Sequence, residues 1–118
     1  MGKSILKEKS FHFAVRIVNL CKHLTIVQKE YVLSKQILKS GTSVGANIRE
    51  AEFAQSNLDF IHKLSVSQKE INETIYWLEL LKETSFINQG EFESLHYDAT
   101  EVLKIITSSI KTMKSKIK

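Results

Sequence analysis

Apolar residues recur along this chain at helical spacing, in four stripes separated by short polar turns. The first carries Leu6, Phe13, Ile17, Leu20 and Leu24 at steps of three, four or seven, widened by Phe11, Ala14, Val18 and Cys21. That is the period of one face of an α-helix, and it predicts a helix ending near Thr25 with Ser4 or Ser10 as its N-cap. After the polar Gln28-Lys29-Glu30, a second stripe of Leu33, Ile37, Val44, Ile48 and Ala51 predicts a second helix. Ser56 followed by Asp59 three residues later has the form of a capping box. It opens a third helix from about Asn57 to Glu83, with Phe60, Leu64, Ile71, Ile75 and Leu78 on its main face. Beyond a turn over Thr84 to Gly90, Phe92, Leu95, Ala99, Val102, Ile106, Ile110 and Met113 mark a fourth.

Composition sharpens this pattern. The 118 residues hold no proline and only four glycines, so the punctuation that strands and long loops require is missing. The expectation is an all-α protein, one domain over residues 1–118, folded as an antiparallel up-down-up-down four-helix bundle. Its organising stretch runs from Ser40 to Leu81, the end of one helix and most of the next. Gly41 and Gly45 lie four apart on one side of the second helix, where each costs roughly 1 kcal/mol relative to alanine. A close helix neighbour would offset that cost. A phosphate loop is the competing reading, and its lysine and spacing are absent. Further on, Ile75-Tyr76-Trp77-Leu78-Glu79-Leu80-Leu81 is apolar on nearly every side, whereas a helix in a small bundle has one side to bury. Tyr76, Trp77 and Leu81 are therefore expected at a helix or subunit contact, against the plainer reading of wide core residues beneath the following loop.

Candidate chemistry changes the picture little. Two Glu-x-x-His-like motifs, Glu93 with His96 and Asp59 with His62, would suit a bridged metal pair in a bundle. They fall at the starts of antiparallel helices, at opposite ends roughly 25 Å apart at 1.5 Å per residue, and one centre cannot use both. His12 and His23 lack ligand-spaced partners, and no serine has a histidine and acid arranged beside it. Glu70 and Glu73 near Lys69 read as a solvated face. The lone Cys21 lies on the first apolar stripe and reads as a buried thiol in a reducing compartment. No enzyme, cofactor or metal is expected. No apolar run approaches the roughly 20 residues of a membrane span or resembles a secretory signal, so a cytoplasmic protein is expected; Met1-Gly2 is only a loose match to a lipidation start.

Charge is the remaining lead. The net formal charge is +4, but it is unevenly spread. Glu70, Glu73, Glu79, Glu83, Glu91, Glu93, Asp98 and Glu101 face only Lys82 between residues 70 and 101, and after residue 101 come Lys104, Lys111, Lys114, Lys116 and Lys118 with no acid. An up-down bundle would gather the acids at one pole and bring Lys111, Lys114, Lys116 and Lys118 beside Lys3, Lys7 and Lys9 at the other. A basic pole suits phosphate backbones and would bind them without sequence preference. Terminal lysines that merely complement a helix dipole are the plainer alternative.

The stretch GTSVGANIREA from Gly41 to Ala51, then Asp59-Phe60-Ile61, Lys69-Glu70 and Glu73-Thr74-Ile75-Tyr76-Trp77-Leu78, resembles the signature of a bacterial family of 23S rRNA intervening-sequence proteins. The likeness extends to Lys9-Ser10-Phe11, Tyr31-Val32-Leu33-Ser34 with Gln36, and Thr107 through Thr112, nearly the whole chain. The resemblance implies an up-down bundle, assembly into a homopentameric ring, and no enzymatic activity. Accessory proteins of diversity-generating retroelements are similar, which implies RNA or DNA and a reverse transcriptase as partners. The expected function is therefore a ring-forming bundle that binds structured RNA, or an RNA and protein complex, through its basic pole. A protein-interaction scaffold with no nucleic-acid contact is the alternative.

Overall fold

The computed structural model describes residues 2–117, and the side chains of residues 5–117. Four helices follow one another: α1 (Gly2–Ile26), α2 (Leu33–Glu52), α3 (Asn57–Glu83) and α4 (Gln89–Lys116). Among the described residues there is no strand. Each boundary has a local cause. The Glu30 carboxylate accepts the N–H groups of Val32, Leu33 and Ser34 at 3.1, 2.8 and 2.8 Å, satisfying donors that open α2. Ser56 Oγ accepts the Asp59 N–H at 3.0 Å as expected. Asp59, however, reaches back to the N–H of Gln55 rather than that of Ser56, so the box is only half formed. The complete box belongs to Asn88 and Glu91, each accepting the other's backbone N–H at 2.8 Å, and it starts α4 inside the stretch read as loop. Ser10 is no cap: α1 already runs from Gly2, and Ser10 is buried with its hydroxyl donating to Lys7 O. Ser4's side chain lies outside the described residues.

The helices run antiparallel to their sequence neighbours, and α4 closes against α1. Gly45 faces Ser10 while Gly41 faces Ile17; Ser67 bonds Val44 while Thr74 bonds Ser40; Lys9 meets Glu101 while Arg16 meets Asp98. In every pair one number rises as the other falls. Among the described residues the backbones of the diagonal pairs, α1 with α3 and α2 with α4, come no closer than 8 Å between Cα atoms, and the bundle measures 49 × 22 × 20 Å. Phe13, Ile17 and Leu24 from α1, Ile37 and Val44 from α2, Leu64, Ile71 and Leu78 from α3, and Val102 and Ile106 from α4 fill its axis. Each contributes about 1.5–3 kcal/mol by leaving water.

Two features depart from a uniform apolar core. The α2–α3 seam is hydroxylated: Ser67 Oγ donates to Val44 O and Thr74 Oγ1 approaches Ser40 Oγ, both at 2.8 Å, so these buried groups are paired as burial demands. Gly41 sits where α1 and α2 approach, and a Cβ there would lie 2.9 Å from Ile17 Cγ2. One turn on, a Cβ at Gly45 would meet nothing nearer than Ser10 at 3.6 Å.

The aromatic end of α3 is less exposed than its sequence suggests. Leu78 and Leu81 are fully buried, Ile75 and Trp77 pack half-buried against the core, and only Tyr76 among the large apolar residues of this run is exposed. Tyr76 meets Trp77 edge to face at 5.1 Å. The loop after α3 folds back so that Phe86 and Ile87 add to the core, and one subunit hides most of the run. Exposed apolar side chains lie elsewhere: Ile26, Val27, Tyr31 and Val32 around the α1–α2 turn, and Phe53 and Leu58 at the α2–α3 corner.

Candidate nucleic-acid interface

The beginnings of α1 and α3 and the ends of α2 and α4 share one pole. Leu6, Ile48, Ala51, Glu52, Phe60, Leu64 and Ser109 line one small cavity there and fix the four ends together. Of the lysines predicted for this pole, Lys7 and Lys9 are engaged. Lys7 Nζ lies 3.4 Å from Glu52 and Lys9 Nζ 3.7 Å from Glu101, so both cations also answer acids of neighbouring helices. Lys111, Lys114 and Lys116 are exposed on the last turns of α4 and pair with no acid among the described residues. They also stand where a helix C-terminus favours positive charge. Lys3's side chain and the whole of Lys118 lie outside the described residues.

Sequence reasoning overlooked the charges that α2 and α3 bring to this pole. Glu50 accepts from Lys63 Nζ at 2.8 Å, an ion pair that raises the Lys63 pKa; Glu52 faces Lys7; Asp59 accepts the Gln55 N–H. Glu50 and Glu52 are each paired with a lysine, Asp59 accepts only a neutral backbone N–H, and Glu8 on α1 is exposed, so the α4 lysines share this pole with acid that no cation offsets. The only signal for this was the short α2–α3 turn, which places both helix ends beside α4.

The opposite pole is less acidic than the chain order implies. Asp98 and Glu101 lie well along α4, where Asp98 accepts from Arg16 Nη1 at 2.8 Å and Glu101 meets Lys9. Lys82 contacts Glu83 at 3.4 Å and covers the Phe92 ring. The α1–α2 turn, tied to the same end by Gln28 Nε2 donating to Phe86 O at 2.9 Å, carries Lys29 beside Glu30. Glu70 is half-buried mid-bundle, its pKa raised by that burial and then by Glu73.

The metal-like motifs are spent on ordinary helix contacts. Glu93 accepts from Gln89 Nε2, His96 lies against Phe92, and His62 is exposed. Among the described residues no three His, Cys, Asp or Glu side chains gather as a metal site would require. Cys21 is buried and donates to Ser34 O at 3.3 Å; burial, then Glu30, pushes its pKa up to about 11, which keeps the thiol protonated and unreactive. No helix among the described residues is long and apolar enough to cross a membrane.

The fold and the pole together define an all-α antiparallel four-helix bundle with one end unevenly basic. Over residues 3–108 the chain matches the family described as 23S rRNA-intervening sequence protein, and it belongs to that family. It is similar to a crystal structure from Bacteroides thetaiotaomicron VPI-5482, described as a protein with unknown function from the S23 ribosomal protein family. That similarity has 58% identity and a TM-score of 0.93, covering 94% of this chain and 99% of the other. No curated protein matches the chain.

Proposed function

We propose that this protein is a non-enzymatic bundle, without cofactor, that assembles into a cytoplasmic ring, a homopentamer, and binds RNA through the pole at the end of α4. The observation that carries the reading is the state of the charges there. Glu50 and Glu52 are each paired with a lysine, while Lys111, Lys114 and Lys116 face water without an acid partner among the described residues. Long flexible lysines in that state are suited to phosphates, whose binding releases counterions. The family's description names an intervening sequence of 23S rRNA. A ring with all such poles on one side would multiply the field and the number of simultaneous contacts.

The test is a titration of labelled RNA at several salt concentrations. Binding should weaken as salt rises, and each of Lys111→Gln, Lys114→Gln, Lys116→Gln and Lys118→Gln should flatten the log–log slope by roughly 0.7–0.9 for every phosphate left without its cation. Titrations that stay flat at low salt would defeat the reading. Sedimentation showing a monomer at micromolar concentration would defeat the ring.

A second reading has its own observation. The α1–α2 turn holds Ile26, Val27, Tyr31 and Val32 exposed on a backbone pinned by Glu30 and Gln28, a rigid apolar surface that favours docking of another protein, such as a reverse transcriptase. Its substitution by polar residues should leave RNA titrations unchanged if the two surfaces act separately.

A further inference from the structure

We infer that the α2–α3 corner is a stacking platform for an unpaired base, so that the basic pole takes single-stranded or looped RNA in preference to duplex. This rests on the reading of that pole as an RNA surface. Phe53 is the most exposed large apolar side chain of the described residues, at 82%, yet its backbone is closely held. The Phe53 N–H donates to Glu50 O at 3.0 Å, the Ala54 N–H to Ala51 O at 3.1 Å and the Gln55 N–H to Asp59 Oδ2 at 3.2 Å. Binding on so fixed a backbone has only the ring's own two side-chain torsions to order.

Its surroundings fit a nucleotide. Gln55, Ser56, Asn57 and the apolar Leu58 follow it, all exposed; the two side-chain amides offer donors and acceptors for a base edge, and the Ser56 hydroxyl, which already accepts the Asp59 N–H, can still donate. Of the carboxylates nearest in the chain, Glu50 and Glu52 are held by Lys63 and Lys7, which moderates their repulsion of a phosphate, while Asp59 accepts the neutral Gln55 N–H and keeps its charge. Glu8, exposed near the start of α1, is a further acid of this pole. A duplex would present phosphates and 2′-hydroxyls to the lysines and leave Phe53 without a partner, because its bases are already stacked on one another. A splayed base in a single strand supplies the missing π-face. An anionic lipid surface would also attract the lysines and could take Leu58 along with Phe53, but inserting them would carry Gln55, Ser56 and Asn57 into the interface with their polar groups unpaired.

The full chain is titrated at one salt concentration with a labelled single-stranded RNA, with the same strand annealed to its complement, and with anionic phospholipid vesicles. The single strand should bind more tightly than the duplex. Phe53→Ala should weaken the single strand roughly 5- to 150-fold, the range for loss of one stacked base, and leave the duplex unchanged. Phe53→Trp should restore the preference and Phe53→Leu should not, while Lys114→Gln should weaken both RNAs alike. Because Phe53 is exposed, these variants should retain the helical circular dichroism of the parent. Equal binding of strand and duplex, both untouched by Phe53→Ala, overturns the platform and leaves the basic pole standing. No binding of either RNA at low salt overturns the RNA reading itself, and binding confined to vesicles and kept by Phe53→Leu replaces it with a lipid surface.

Discussion

Gly41 and Gly45 occupy equivalent-looking places in the sequence, and the structure predicts different outcomes when each is replaced by alanine, a gain in stability at Gly45 and none at Gly41. In a helix interior the change from glycine to alanine gains about 1 kcal/mol from the lower backbone freedom of the unfolded chain. At Gly45 nothing opposes that gain, since the new methyl would meet Ser10 at an ordinary 3.6 Å. At Gly41 it would lie 2.9, 3.0 and 3.2 Å from Cγ2, Cγ1 and Cβ of Ile17. Ile17 is fully buried and branched at Cβ, so it cannot swing aside, and the two backbones must part. Overpacking of this kind costs about 1–3 kcal/mol, which leaves Gly41→Ala between neutral and about 2 kcal/mol destabilised. The two variants should therefore differ by about 1–3 kcal/mol, or roughly 4–12 °C in Tm for a chain of this length. Thermal and urea unfolding followed by circular dichroism, at several protein concentrations so that assembly is separated from folding, measures the difference. The double variant Gly41→Ala with Ile17→Ala should be less damaged than the sum of its parts. A Tm for Gly41→Ala raised as much as that of Gly45→Ala would refute the close approach of α1 and α2.

Two further outcomes test other parts of the fold. Cys21 has its pKa raised from 9.0 to about 11, so its protonated thiol contributes in full below pH 9 and that contribution is lost as pH rises through 11. Unfolding profiles of Cys21→Ala should accordingly fall less steeply than the parent's between those values, and an identical slope would show that burial does not hold the proton. Replacing Asn88 by alanine removes the side-chain acceptor of the Glu91 N–H and leaves only the half of the box in which the Glu91 carboxylate accepts the residue 88 N–H. It should cost about 1 kcal/mol, with Asn88→Asp restoring most of it; urea unfolding that places Asn88→Ala level with the parent would show the box to be incidental.

Much of the fold could be read from spacing. The third helix spans Asn57–Glu83, as the stripe from Phe60 to Leu78 and the Ser56 signal indicated, because a side-chain period and a cap are local properties. The α4 start was missed for an equally local reason: Asn88 with Glu91 is a box that uses asparagine, hidden in a stretch whose glycine and polar residues resemble a loop. The candidate site was less legible. Lys111, Lys114 and Lys116 stood out, but the pairing of Lys7 with Glu52 and of Lys63 with Glu50 joins residues on different helices, and no pattern along the chain carries that. The same holds for the aromatic end of α3, where Phe86 and Ile87 of the returning loop help complete the core around Leu81.

The sequence by itself determined four helices, their order, their apolar stripes and the family, since these depend on periods and neighbours within a few residues. Only the tertiary structure decided which glycine is needed, which hydroxyls of the α2–α3 seam are buried in pairs, which lysines remain unpaired and that Phe53 stands in water at the basic end. Those depend on distances between helices far apart in the chain, set by how close the packed backbones come rather than by the residues along any one of them.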